Sequence, residues 1–120
     1  MSKIYKFEDI NAWQKARQLV SLTYKHCKSG EFKNDYPLRD QIIRSGISIM
    51  ANIAEGFARR SSKEFSNFLN IAHASVAEHQ SHLYVALDLK YLKQEEFTEL
   101  YNRSEEISRM LQGFSSYLRS

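Results

Sequence analysis

Between Gln41 and Ala72 the chain reads QIIRSGISIMANIAEGFARRSSKEFSNFLNIA, with apolar residues recurring at helical spacing on both sides of a polar break. At about 100° per residue, Ile42, Gly46, Ile49, Met50, Ile53 and Phe57 share one arc, which Ile43, Ile47 and Ala54 widen to nearly half the circumference. Arg44, Ser48, Asn52, Glu55 and Arg59 form a polar stripe opposite. Ser61-Ser62-Lys63-Glu64 then has the S-x-x-E form of a capping box. Its serine hydroxyl accepts from the Glu64 amide, while the Glu64 carboxylate reaches back to the Ser61 amide. A second apolar series starts at Phe65. The stretch predicts a helical hairpin, with the first helix ending between Gly56 and Arg60. Gly56 fits either a C-terminal cap or a close approach of another helix.

Two more helices flank this hairpin. The first begins near Asp9 or Asn11, either of which can cap it, and runs to about Ser29 before Gly30. Trp13, Ala16, Val20, Tyr24 and Cys27 share its apolar arc, with Leu19 and Thr23 beside it. Glu31 to Tyr36 reads as a loop, and Pro37 suits the first turn of the next helix. The third helix runs from Ser62 to about Leu89, with Phe65, Phe68, Leu69, Ala72, Val76, Leu83, Ala86 and Leu87 as core candidates. After a loop at 90–93, Phe97, Leu100, Ser104, Ile107, Leu111, Phe114 and Leu118 alternate spacings of three and four, a heptad seam. Lys93 stands where a capping residue belongs. With one proline and four glycines, the chain is poor in the residues a turn-rich β fold needs. The predicted fold is all-α, an up-and-down antiparallel four-helix bundle forming a single domain over 1–120. Leu22, Ile43, Ile71, Tyr84, Tyr101 and Met110 lie off or at the edge of their stripes, which points to subunit contacts and a homo-oligomer.

The net charge is only +3, but the first half of the chain is basic and the second slightly acidic. Between Ile10 and Gly30 there is no acidic residue. Arg17, Lys25 and Lys28 share a polar face there with Gln14, Gln18 and Ser21, the combination of cations and neutral donors that phosphate contact requires. The alternative is a solvated face whose last lysines answer the helix dipole. Arg59, Arg60 and Lys63 add three cations at the N-terminus of the third helix, where free amides also favour anions. These six are the candidate nucleic-acid contacts. Arg44, Asn52 and Glu55 are the candidate interface or partner contacts, although Glu55 is best explained as a local i,i+4 partner of Arg59. A single cysteine, Cys27, excludes an intramolecular disulfide. No apolar run approaches the ~20 residues a membrane helix needs, and no signal-peptide core is present, so a cytoplasmic protein is expected.

For chemistry, His73, Glu78, His79 and His82 lie on the third helix at spacings that can bring side chains together. A bundle di-metal site needs Glu-x-x-His motifs, and none occurs. His79 points at the core, where a hydrogen-bonded buried imidazole is expected in preference to a ligand. Cys27 and His26 lie about 100° apart on their helix, so they form no nucleophile–base pair. With no Gly-rich phosphate loop and no G-x-S-x-G, no enzyme, metal or cofactor is expected.

The segment Asn52–Gly56 (NIAEG), followed from Arg59 by R-x-S-x-K-E-F-x-x-F-L-x-I-A, resembles a bacterial family encoded in intervening sequences of 23S ribosomal RNA genes. The likeness extends through Phe7–Arg17 (FEDI, then WQKAR), Gln41 and Arg44 to Leu83 and Tyr91-Leu92. The accessory protein of diversity-generating retroelements is a more distant likeness. The resemblance implies a four-helix bundle assembling into a ring of five, with nucleic-acid binding and no catalytic residues. In that family a leucine is usual at His79 and a polar residue at His82. Two functions follow as alternatives: an oligomeric accessory protein that binds RNA or DNA, or an oligomeric scaffold that docks a nucleic-acid-processing enzyme.

Overall fold

The structure, a computed structural model, describes residues 3–120. Its helices are α1 (Asn11–Cys27), α2 (Tyr36–Phe57), α3 (Ser62–Asp88) and α4 (Gln94–Arg119), with 3-10 turns at Phe7–Asp9 and Gly30–Asn34. No strand occurs among the described residues. Short connections make each helix antiparallel to the one before. α1 and α3 each pack against both α2 and α4, giving the expected up-and-down four-helix bundle. It is 45 Å long and 22 by 20 Å across.

The helix starts show which local signals govern. α3 begins as predicted, with Ser61 in extended backbone and its Oγ accepting from the Glu64 amide at 3.1 Å. The return contact differs from the box: the Ser61 hydroxyl donates to Glu64 Oε2 at 3.3 Å. Ser61→Ala removes this acceptor and is expected to lower stability by about 1 kcal/mol. An unchanged thermal midpoint would show that Ser61 is not the cap.

Neither Asp9 nor Asn11 caps α1. Ile10 holds the N-cap position, 2% exposed, so side-chain burial rather than a polar cap fixes this start. The Asp9 carboxylate serves the preceding turn, accepting from the Tyr5 and Lys6 amides at 3.1 and 3.3 Å. α1 also stops two residues early, and Gly30 turns the chain at φ +55°. The stretch expected as a loop from Glu31 to Tyr36 holds a 3-10 turn and a helix cap. Buried Phe32 stacks on Tyr91 at 5.1 Å, which anchors the turn. Asp35 Oδ1 then accepts from the Leu38 amide at 3.2 Å to start α2. α4 lacks a side-chain acceptor at Lys93; instead Glu96 reaches back to the Lys93 amide at 2.8 Å.

Gly56 lies inside α2, not at its cap. A Cβ there would fall 2.7 Å from Phe68 Cβ and 2.8 Å from Phe65 Cδ1, so the glycine serves close approach of α3. One core joins all four helices, filled by Leu19, Ile42, Ile49, Leu69, Leu83 and Ile107 among others. The α4 seam is buried at Phe97, Leu100, Ser104, Ile107 and Leu111 and half-buried at Phe114 and Leu118. On α1 the buried face is Ala12, Ala16, Leu19, Thr23 and Cys27. Its small residues let α1 lie close, while Tyr24, expected on this face, is 39% exposed at its edge. Of the off-stripe residues, Leu22, Ile43, Tyr101 and Met110 pack at the margin of the core, whereas Ile71 and Tyr84 each remain 49% exposed.

Candidate nucleic-acid interface

The polar face of α1 is where the sequence places it: Gln14, Arg17, Gln18, Ser21, Lys25 and Lys28 are all exposed. What the sequence misses is its neighbour. α4 lies alongside and contributes Arg103, which together with Gln14, Arg17, Gln18, Ser21 and Leu22 lines a groove of about 740 Å³. Arg103 is fixed by Glu99 at 3.4 Å and by Gln18 Oε1 at 3.4 Å, and its Nε is shielded from solvent without an acceptor. Arg17 rests against Trp13, its guanidinium 5.7 Å from the ring centre. Two guanidiniums, two amides and a hydroxyl therefore border one groove whose lining contains no carboxylate.

The absence of acids on α1 does not extend to its surroundings. Glu106 of α4 pairs with Lys15 at 3.6 Å, and Glu96 approaches His26 at 3.7 Å. These carboxylates occupy the margin of the cationic face and leave Arg17, Lys25 and Lys28 without an ion-pair partner among the described residues. Nothing in the periodicity of α1 shows the acids that α4 brings beside it.

The second cluster lies at the other end of the bundle from Lys25 and Lys28. Arg59, Arg60 and Lys63 are exposed around the start of α3, roughly 20 Å from Lys25 along the bundle axis at the helical rise. The Arg59 guanidinium sits 4.7 Å over the Phe68 ring. The expected Glu55–Arg59 pair does not form among the described residues. The physical reason is the helix end: α2 stops at Phe57, so Arg59 has left the helical path that would place it above Glu55. Arg44 and Glu55 are exposed, while Asn52 is half-buried and donates to the Ser48 carbonyl at 2.8 Å and to the Ser48 hydroxyl at 3.1 Å. Ser48 in turn meets Ser75 of α3 at 2.8 Å. Asn52 thus buttresses the serine through which α2 meets α3.

The histidines of α3 separate. His79 is fully buried; its Nδ1 lies 3.0 Å from the Ile42 carbonyl and 3.1 Å from Ser45 Oγ, and its Nε2 lies 3.2 Å from Thr23 Oγ1. With the carbonyl as an obligate acceptor, Nδ1 carries the proton and Nε2 accepts from the threonine. Burial pushes the imidazole down to about 4, against a smaller upward pull from the Ile42 carbonyl. His79 is therefore a neutral bridge joining α1, α2 and α3. His82 faces Glu78 at 3.7 Å, and His73 meets Ser108 at 2.8 Å. No group of three or more His, Cys, Asp or Glu side chains is placed to hold a metal ion among the described residues.

Fold and site together define the class, a four-helix bundle with a cationic groove between its first and last helices. The sequence matches the 23S rRNA-intervening sequence protein family over residues 8–113, and the chain belongs to that family. It is similar to a crystal structure of a protein with unknown function from the S23 ribosomal protein family of Bacteroides thetaiotaomicron. That likeness has 28% identity and a TM-score of 0.74, covering 91% of this chain and 95% of that one. No curated protein matches. No helix among the described residues is long and apolar enough to cross a membrane.

Proposed function

We propose that this protein is a non-enzymatic, oligomeric accessory protein that holds RNA or DNA by its phosphates. The observation that carries this reading is the α1–α4 groove, where Arg17 and Arg103 face a surface of neutral donors with no carboxylate in its lining. Lys25 and Lys28 continue the face along α1, and Arg59, Arg60 and Lys63 provide a separate contact at the far end. One subunit's few cations bind weakly, and a ring repeating them gains through effective concentration. A ring of five is the preferred assembly, on the resemblance.

The second reading, a scaffold that docks an enzyme, draws on a different surface. From Ser45 to Ala54 α2 carries no charge, and between Glu64 and Asp88 the only acidic or basic residue besides histidine is Glu78. Ile47 of α2, Ile71 and Val85 of α3 and Leu89 just past its end are exposed.

A mobility-shift titration against duplex DNA, single-stranded DNA and structured RNA at two salt concentrations separates the two, with light scattering fixing the subunit number in the same samples. Binding is expected to be indifferent to sequence and to weaken with salt. Reversing Arg17, Lys25 and Lys28 to glutamate is expected to lower affinity by about tenfold or more, with helicity and assembly unchanged. A wild-type protein that fails to bind at low salt, or a triple variant that binds equally well, favours the scaffold.

A further inference from the structure

At the end of the bundle away from the α2–α3 junction, a pocket of about 300 Å³ opens between the end of α1, the Gly30–Asn34 turn and the first turns of α2. Cys27, Lys28, Lys33, Asn34, Tyr36 and Arg39 line it, so three cations meet there and no carboxylate does. None of Lys28, Lys33 and Arg39 enters an ion pair among the described residues. Of the acids next to it in sequence, Asp35 is committed elsewhere, Oδ1 capping α2 at 3.2 Å and Oδ2 accepting the Tyr91 hydroxyl at 2.9 Å, and Asp40 lies outside the lining.

Arg39 is held in one place. Its Nη1 donates to the Lys33 carbonyl at 2.6 Å, and its guanidinium lies 5.5 Å from the centre of the Tyr36 ring. Its Nε is shut off from solvent and has no hydrogen-bond acceptor. The guanidinium so anchored keeps its other N–H donors, those of Nη2 among them, for a ligand in the pocket.

We propose that this pocket is a binding site for a phosphate monoester or free phosphate, with Arg39 as the fixed donor and Lys28, Lys33 and Asn34 closing around the oxygens. A guanidinium offers planar, positioned N–H donors, and the lysines add mobile point charges. The charge count distinguishes this ligand from a strand backbone. A backbone phosphate carries one negative charge, whereas a monoester carries nearly two at neutral pH, which three converging cations match better. The site shares Lys28 with the strand-binding face but does not depend on that face binding a strand. Its ligand has two possible sources, the 5′-terminal phosphate of a nucleic acid and inorganic phosphate.

The test uses the full chain with two probes. Inorganic phosphate is titrated at constant ionic strength while the thermal midpoint is followed, and one single-stranded oligonucleotide is compared with and without a 5′-phosphate by fluorescence anisotropy. Wild type is expected to be stabilised by phosphate, to bind the 5′-phosphorylated strand about tenfold more tightly, or both. Stabilisation with equal strand affinities assigns the pocket to the free anion, and a 5′-phosphate preference assigns it to the strand end. Arg39→Gln is expected to abolish these effects and Lys33→Gln to reduce them. The exposed Lys33 keeps the test available if the Arg39 variant does not fold. Neither effect in wild type, or full effects in both variants, overturns the site. The 5′-hydroxyl strand, titrated with salt, reports the strand-binding function separately.

Discussion

Acidification from neutral pH to about pH 4 is expected to remove about 3 kcal/mol of folding stability through His79 alone. The imidazole has its ordinary value of 6.5 in the unfolded chain and is pushed down to about 4 by burial in the folded one. Above 6.5 both states hold it neutral, and its full contribution is present. Between these values the unfolded chain takes up a proton that the folded chain refuses, so stability falls as pH falls. The loss is complete once pH drops below the folded value. The molecular reason is the bridge: a second ring proton would point Nε2–H at Thr23 Oγ1 and place an uncompensated charge among buried side chains. Denaturant melts across this range check the expectation, with His79→Leu as the control that retains apolar volume and cannot titrate. If wild type and variant lose stability in parallel, the acid sensitivity belongs to surface carboxylates and not to this residue.

Gly56→Ala is expected to destabilise the fold by about 2 kcal/mol, even though alanine is the better helix former by about 1 kcal/mol. The added methyl would sit 2.7 Å from Phe68 Cβ and 2.8 Å from Phe65 Cδ1. The Phe65 ring can swing aside, but a Cβ moves only with its backbone, so α3 as a whole has to withdraw. The connection from Phe57 to Ser62 is too short to allow this without strain. Chemical denaturation gives the comparison, and a variant as stable as wild type would show that the two helices separate freely at this point. Gly113, whose Cβ would meet nothing within 4 Å, is the matching control, since alanine there is expected to be neutral or mildly stabilising.

The features legible in the sequence are those decided within one helix. The α2–α3 hairpin, the Ser61 cap and the α4 seam each follow from spacing along a single segment, and the structure places all three as expected. The start of α1 was not legible, because burial of Ile10 against the rest of the chain outweighs the capping preference of Asp9 or Asn11. The Glu55–Arg59 pair fails for a related reason, since it assumes helix at a residue the helix does not reach. The candidate interface is half legible. Arg17, Lys25 and Lys28 are where periodicity puts them, but Arg103 and the acids that flank them come from α4, and no pattern within α1 shows which helix lies beside it. The Lys28–Lys33–Arg39 pocket is less legible still, because it draws on three consecutive elements whose relative placement depends on Phe32 and Asp35 being anchored by Tyr91.

The order in which the helices pack also bears on how the chain reaches its fold. α1 meets α2, α2 meets α3 and α3 meets α4, each pair adjacent in sequence, and the meeting of α1 with α4 is the main packing of helices far apart along the chain. Most of the conformational search is therefore local, and topologies of this kind fold in the microsecond-to-millisecond range. The groove that carries the proposed function needs α1 and α4 side by side, so neither half of the chain can form it alone.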